Sequence, residues 1–193
     1  MSNFTDVVGG ASLSISTSKY SFAYNQLCSS NAAIYFTNGT MNFPTGIYIS
    51  GDFTLIYWLY VYPFGTTYQS LTYFGFTSSS YIFTGINVNQ YLQLMVNGTS
   101  LLSVSTVSTY TWYYVAYTVS GTTATIFLNG YANKTATVPT PLGISRSNNF
   151  FGGGTVNSIL SGIKLYSGAM SAASVYSDFL SSSNNGLNLF QIF

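Results

Sequence analysis

A chain of 193 residues with 47% hydrophobic positions is long enough for one all-β domain with a substantial core, expected to span 1–193 as a single unit. Its four basic and three acidic side chains, with no His, leave a net charge of +1; that excludes an electrostatic footprint for nucleic acid, a His-based nucleophilic triad and a His/Cys zinc cluster. No run approaches the roughly 20 uninterrupted apolar residues of a membrane helix, because Ser, Thr, Asn and Gly break every stretch.

The N-terminal 1–16 has neither a basic start nor an apolar block before a cleavage site, so no secretory signal is expected. A strand at 12–16 opens the pattern, and Cys28, a lone cysteine without an intrachain partner, is expected to be a buried inert thiol rather than an intermolecular bridge. Period-two alternation then predicts strands at 33–36, 46–49, 53–62, 70–77, 81–87, 91–96, 99–105, 112–119, 124–128, 132–138, 150–153 and 158–166, with turn residues every eight to twelve positions. Asn38-Gly39, Asn97-Gly98 and Asn129-Gly130 each separate strand-like runs and tolerate the positive φ of two-residue hairpin turns, which predicts an antiparallel meander. Trp58 and Trp112 are expected in the core, and Gly152-Gly153-Gly154 reads as a tight bend, since neither a helix nor a phosphate-binding Lys follows it. Ser171 can cap one short helix at 172–180 with Ala172, Val175 and Phe179 on one face; 181–186 reads as a loop, and the apolar 187–193 as a final strand or a tail that docks on a neighbour.

Within 111–130, Val115, Tyr117 and Val119 share one face of a strand, and Ala124, Ile126 and Leu128 one face of the next. A strand led by Trp112, a short turn, then Ile126-Phe127-Leu128-Asn129-Gly130 resembles the laminin-G-like, concanavalin-A-like jelly-roll family. Three further blocks in the family's order strengthen the likeness: Asp52 to Leu59, Leu142-Gly143, and Ser161 to Tyr166 followed by Met170 to Val175, together covering about 52–180. The resemblance implies an all-β, antiparallel two-sheet jelly-roll sandwich with one short helix near the C-terminus, as the alternation of strands independently requires. It departs from the family where Ile163-Lys164 replaces an expected acidic pair and Ser174 an expected acidic residue in the helix.

Glycoside hydrolases on this framework use two carboxylates, and the chain has no Glu and only the dispersed Asp6, Asp52 and Asp178, so no catalytic residues, no calcium or other metal site and no cofactor are expected. Stacking on aromatic rings and hydrogen bonds from Ser, Thr, Asn and Tyr remain as ligand chemistry, drawn from 18 Tyr and 15 Phe. By family-like position the candidate ligand-binding residues are Asn129, Tyr131, Arg146 and Asn148; Asn3, Asn38, Asn97 and Asn133 match N-glycosylation sequons. Low charge lets identical chains approach without repulsion, so the leading expectation is a non-enzymatic structural protein that packs with itself or other proteins on a virus particle or extracellular filament. The alternative is a glycan-binding or adhesion module on such a surface.

Overall fold

The computed structural model describes residues 14–15, 19–63, 65–77, 80–184 and 190–192. Fifteen strands and one helix follow in chain order: β1 (Ser14–Ile15), β2 (Tyr20–Ala23), β3 (Ala33–Thr37), β4 (Thr40–Phe43), β5 (Phe53–Val61), β6 (Gln69–Thr77), β7 (Ser80–Ile86), β8 (Tyr91–Val96), β9 (Thr99–Thr106), β10 (Trp112–Ser120), β11 (Thr123–Leu128), β12 (Tyr131–Thr137), β13 (Asn148–Gly152), β14 (Asn157–Ser167), α1 (Ala172–Asn184) and β15 (Phe190–Ile192). They form two sheets, the antiparallel jelly-roll sandwich that the sequence predicts. One has seven strands in the order β1-β4-β13-β6-β7-β8-β9; the other runs β12-β11-β10-β5-β14-β3-β2, with β15 as its eighth strand. The apolar end of the chain thus pairs with its own β14, parallel, from Ile163↔Phe190 to Leu165↔Ile192.

The core lies between the sheets. Phe53, Leu55, Tyr57, Leu59 and Val61 point into it from β5 and Val115, Tyr117 and Val119 from β10, against Leu71, Phe74, Ile82 and Leu94 of the opposing sheet. Tyr57 carries a polar bridge across this dry layer: its hydroxyl lies 3.2 Å from that of Tyr117 and 3.0 Å from Thr84 Oγ1, which lies 2.8 Å from Thr72 Oγ1. Each of these hydroxyls therefore finds a partner where none could come from water.

β5 and β10 break the in–out alternation because both of their faces are covered. On the far side, Ile56, Trp58, Tyr114, Ala116 and Phe127 meet Val175 of α1, with Phe179 and the half-buried Trp112 packed around them. Ser171 caps the helix by accepting the Ser174 N–H at 3.1 Å. The helix runs past the predicted end at 180, and within that extension the hydroxyls of Ser181, Ser182 and Ser183 donate back to the carbonyls of Asp178 and Phe179. Ala172, expected on the packed face, is exposed.

A β-bulge in β14 aligns the sheet with this helix. Ser161 pairs Trp58 and Lys164 pairs Ile56, so Gly162 and Ile163 together oppose Tyr57. Gly162 takes φ 55°, which glycine adopts without strain. The extra residue turns Ile163 into the sandwich core and brings Lys164 to the helix side, where Nζ lies 2.6 Å from Asp178 Oδ1. Tyr114 donates to the other carboxylate oxygen at 2.9 Å, and Trp58 Nε1 to Ser182 Oγ at 3.1 Å.

Several expectations need correction. Residues 46–49 are not a strand but a loop held by one bridge, Gly46↔Arg146, while the four-residue β2 and β4 form strands the pattern misses. Asn97-Gly98 and Asn129-Gly130 do close hairpins, with positive φ at both positions of each. Asn38-Gly39 instead carries the chain from one sheet to the other, since β3 and β4 belong to different sheets. Cys28 is exposed, at the tip of a turn whose Asn25 Oδ1 accepts the N–H groups of Leu27 and Ser29.

Candidate binding groove

The outer face of the seven-stranded sheet carries an aromatic row fixed by register. Phe150 of β13 pairs Tyr73 of β6, which pairs Phe83 of β7, which pairs Met95 of β8. One step along the strands, Asn148 pairs Gly75 and Gly75 pairs Tyr81. The missing side chain at Gly75 leaves room for the Tyr73 ring, which lies where a Cβ would stand; the Phe83 ring lies over Gly85 in the same way. Tyr73 thereby leans along its strand until it stacks between two neighbours: Phe150, with centroids 5.2 Å apart and planes 14° from parallel, and Tyr81, at 5.7 Å and 16°. Faces in contact sit roughly 3.5 Å apart, so at these centroid distances the rings are slipped and each turns part of a face outward.

These rings floor a groove of about 630 Å³. Tyr68, Phe83 and Met95 extend its apolar wall; Ser70, Gln93, Asn148 and Thr155 supply polar groups at its sides, and among the described residues no charged side chain lines it. Gln93 is oriented by donating to Ser100 Oγ at 2.8 Å. Burial, reinforced by the neighbouring Tyr81, pushes the Tyr73 phenol above its usual range and keeps it a neutral donor.

Of the four candidate ligand-binding residues, this groove contains Asn148 alone. Asn129 is half-buried in the β11–β12 turn, where its Oδ1 accepts the Tyr114 N–H at 3.0 Å. Tyr131 is 64% exposed but stands on the other sheet, its ring 5.2 Å from that of Tyr176 on α1. Arg146 is not a surface group at all: it is fully buried, and its guanidinium donates to the carbonyls of Ile49, Leu142 and Ile144. That contact clamps the 46–49 segment, expected to form a strand, to the loop at 142–144, and desolvation lowers the Arg146 pKa. Among the sequons, Asn38 is exposed, Asn97 donates to the Thr140 carbonyl at 3.5 Å, and Asn133 is tied to β9 by bonds to Val104, Ser105 N–H and Ser105 Oγ; Asn3 lies outside the described residues. The Asp52 carboxylate accepts from the Gly121 N–H at 2.7 Å and from Ser120 Oγ at 3.2 Å, and Asp178 is paired with Lys164. Among the described residues no group of three His, Cys, Asp or Glu side chains could hold a metal ion.

Two packed antiparallel sheets with a helix on the back of one define a lectin-like jelly roll. The chain belongs to the concanavalin A-like lectin/glucanases superfamily, whose laminin-G-type family model matches residues 29–184. Among solved structures it is similar to the binding domain of Paraclostridial Mosquitocidal Protein 1 (TM-score 0.72, 15% identity, 93% of this chain and 50% of that one). It is likewise similar to the botulinum neurotoxin serotype G binding domain (0.69, 14%, 93% and 49%), so the chain spans about half the length of either toxin domain. It also resembles domain 4 of AbnA, a GH43 extracellular arabinanase from Geobacillus stearothermophilus, solved in complex with arabinotriose (0.67, 14%, 91% and 92%). At these identities the likeness is one of fold. No curated protein matches the chain.

Proposed function

We propose that the protein is a non-catalytic carbohydrate-binding module that holds sugars in the groove on its seven-stranded sheet. The observation that carries this reading is the slipped ladder Phe150–Tyr73–Tyr81, set among neutral hydrogen-bonding groups. Sugar rings present C–H faces that stack on aromatic carbon and hydroxyls at their rims that need donors and acceptors; the groove offers both in that arrangement. The fold shared with an arabinanase domain solved with arabinotriose supports it. A recessed groove suits a small ligand better than the assembly role expected from low charge, because packing between proteins centres on well-filled patches of large area.

Glycan-array binding of the protein and of Tyr73→Ala tests the reading. The parent should bind a subset of glycans, Tyr73→Ala should lose at least about tenfold in affinity, the worth of roughly one aromatic contact, and Tyr131→Ala should match the parent. Binding that survives in Tyr73→Ala and disappears in Tyr131→Ala would move the site to the opposite sheet.

A further inference from the structure

We propose that the ligand is an uncharged, extended oligosaccharide that lies across the strands and continues over Gly154 into a second, polar groove; this rests on the groove being a sugar site. The direction follows from the ladder. Its three rings stand on three adjacent strands, so the steps of 5.2 and 5.7 Å between them run from one strand to the next across the sheet. A step of that size is about the length of one sugar unit in an extended glycan. Successive rings can therefore each meet a successive sugar, whereas a monosaccharide would use one ring and leave the others idle.

The path does not stop at the ladder. Gly154 and Thr155 line both the aromatic groove and a neighbouring one of about 450 Å³, whose other walls include Thr37, Asn38, Thr67 and Asn157. Gly152 and Gly153 press against Gly39 and Ser70, but no atom of the described residues stands within 4 Å of the place where a Cβ of Gly154 would lie. The bend between the grooves is thus a low saddle that any large side chain at 154 would block. The Asn157 amide is already committed to the Tyr35 hydroxyl and the Pro63 carbonyl, which fixes that wall, while exposed Asn38 and Thr67 face the opening. One end of the ligand would be stacked and the other hydrogen-bonded.

Charge sets the class. Among the described residues no Lys or Arg lines either groove, so a sialic acid carboxylate or a sulfate would have to shed water with no cation to replace it. Neutral pentose and hexose chains carry no such penalty.

Calorimetric titration with neutral arabinan-, xylan- and β-glucan-derived oligosaccharides of one to six units, with sialyllactose and a heparin fragment as anionic comparators, tests the proposal on the parent, Gly154→Trp and Tyr73→Ala. In at least one neutral series affinity should climb at least about tenfold from one to four units; Gly154→Trp should remove the gain that units beyond the third add while leaving the thermal midpoint unchanged. Neither anionic probe should bind, and added salt should not weaken the neutral ones. A single sugar binding as tightly as the tetramer, a gain beyond the third unit that persists in Gly154→Trp, or a preference for the anionic probes would overturn the extended neutral ligand while leaving the sugar site standing. Neutral binding untouched by Tyr73→Ala, or no binding of any probe, would defeat the groove reading itself and this proposal with it.

Discussion

Lys164 and Asp178 are buried together beneath α1, with side chains only 8% and 14% exposed, and Tyr114 donates to the same carboxylate. Removing one partner leaves the other charge in a poorly solvated layer, so Asp178→Ala should destabilise the fold by about 3 kcal/mol, whereas the double change Lys164→Met with Asp178→Leu should recover most of the loss. Urea unfolding of the three variants measures this; equal stability of single and double variants would mean that water reaches the pair freely. The sequence reveals Lys164 only as a departure from a family pattern. Its role depends on the bulge at Gly162, and nothing in the run Ser161-Gly162-Ile163-Lys164 announces that two residues will face one. Arg146 misleads for a related reason. A lone Arg in a polar stretch reads as a surface group, but three carbonyls that converge only in the folded chain give it a buried seat.

At the level of strands, β5 to β12 and β14 are legible because alternation and turn residues agree, and all of them lie within a residue or two of the predicted bounds. β2 and β4, four residues each, are too short to display the alternation, and the β-branched and aromatic run Ile47-Tyr48-Ile49 imitates a strand where a clamped loop stands. The groove is harder to foresee, since its residues come from four strands and become neighbours only once register is known. A signal does exist: Tyr73-Phe74-Gly75, Phe83-Thr84-Gly85 and Phe150-Phe151-Gly152 each place a glycine two positions after an outward aromatic ring. At Gly75 and Gly85 this vacancy beside the ring lets it lie down on the sheet. Gly75→Ala would place a methyl inside the Tyr73 ring position and force that half-buried side chain off the ladder. Sugar affinity should then fall about tenfold, the scale of one lost stacking contact, while stability changes by no more than about 1 kcal/mol. A titration matched to a melting curve separates the two effects; unchanged affinity would remove Tyr73 from the site.

Across the whole molecule, seven charged side chains give acid little to act on: protonating every Asp only raises the formal charge from +1 to +4. The alkaline side differs. Burial holds the phenols of Tyr57, Tyr114 and Tyr117 well above their usual value, with the Asp178 charge adding to the effect at Tyr114 and Tyr57 to that at Tyr117. The folded state therefore favours the neutral form. That preference is fully present below the unfolded tyrosine pKa of about 10, and it is lost as pH rises beyond it because the unfolded chain ionises first. Each group contributes about 1.4 kcal/mol per pH unit in that window, so stability should fall by on the order of 4 kcal/mol per unit above pH 10. Denaturation midpoints between pH 5 and 12 test this; Tyr57→Phe should make the alkaline limb shallower, and a flat limb would show that the phenols ionise in place.

The helix laid on the back of β5 and β10 also assigns the protein's optical signals. Both of its tryptophans, Trp58 and Trp112, belong to the cluster beneath α1, on the sheet opposite the groove. Indole emission should therefore report the lifting or settling of that helix and stay silent when a sugar enters, while the tyrosine bands, supplied in the groove by Tyr68, Tyr73 and Tyr81, respond to the ligand. A single cuvette can thus tell occupation of the front face from loosening of the back.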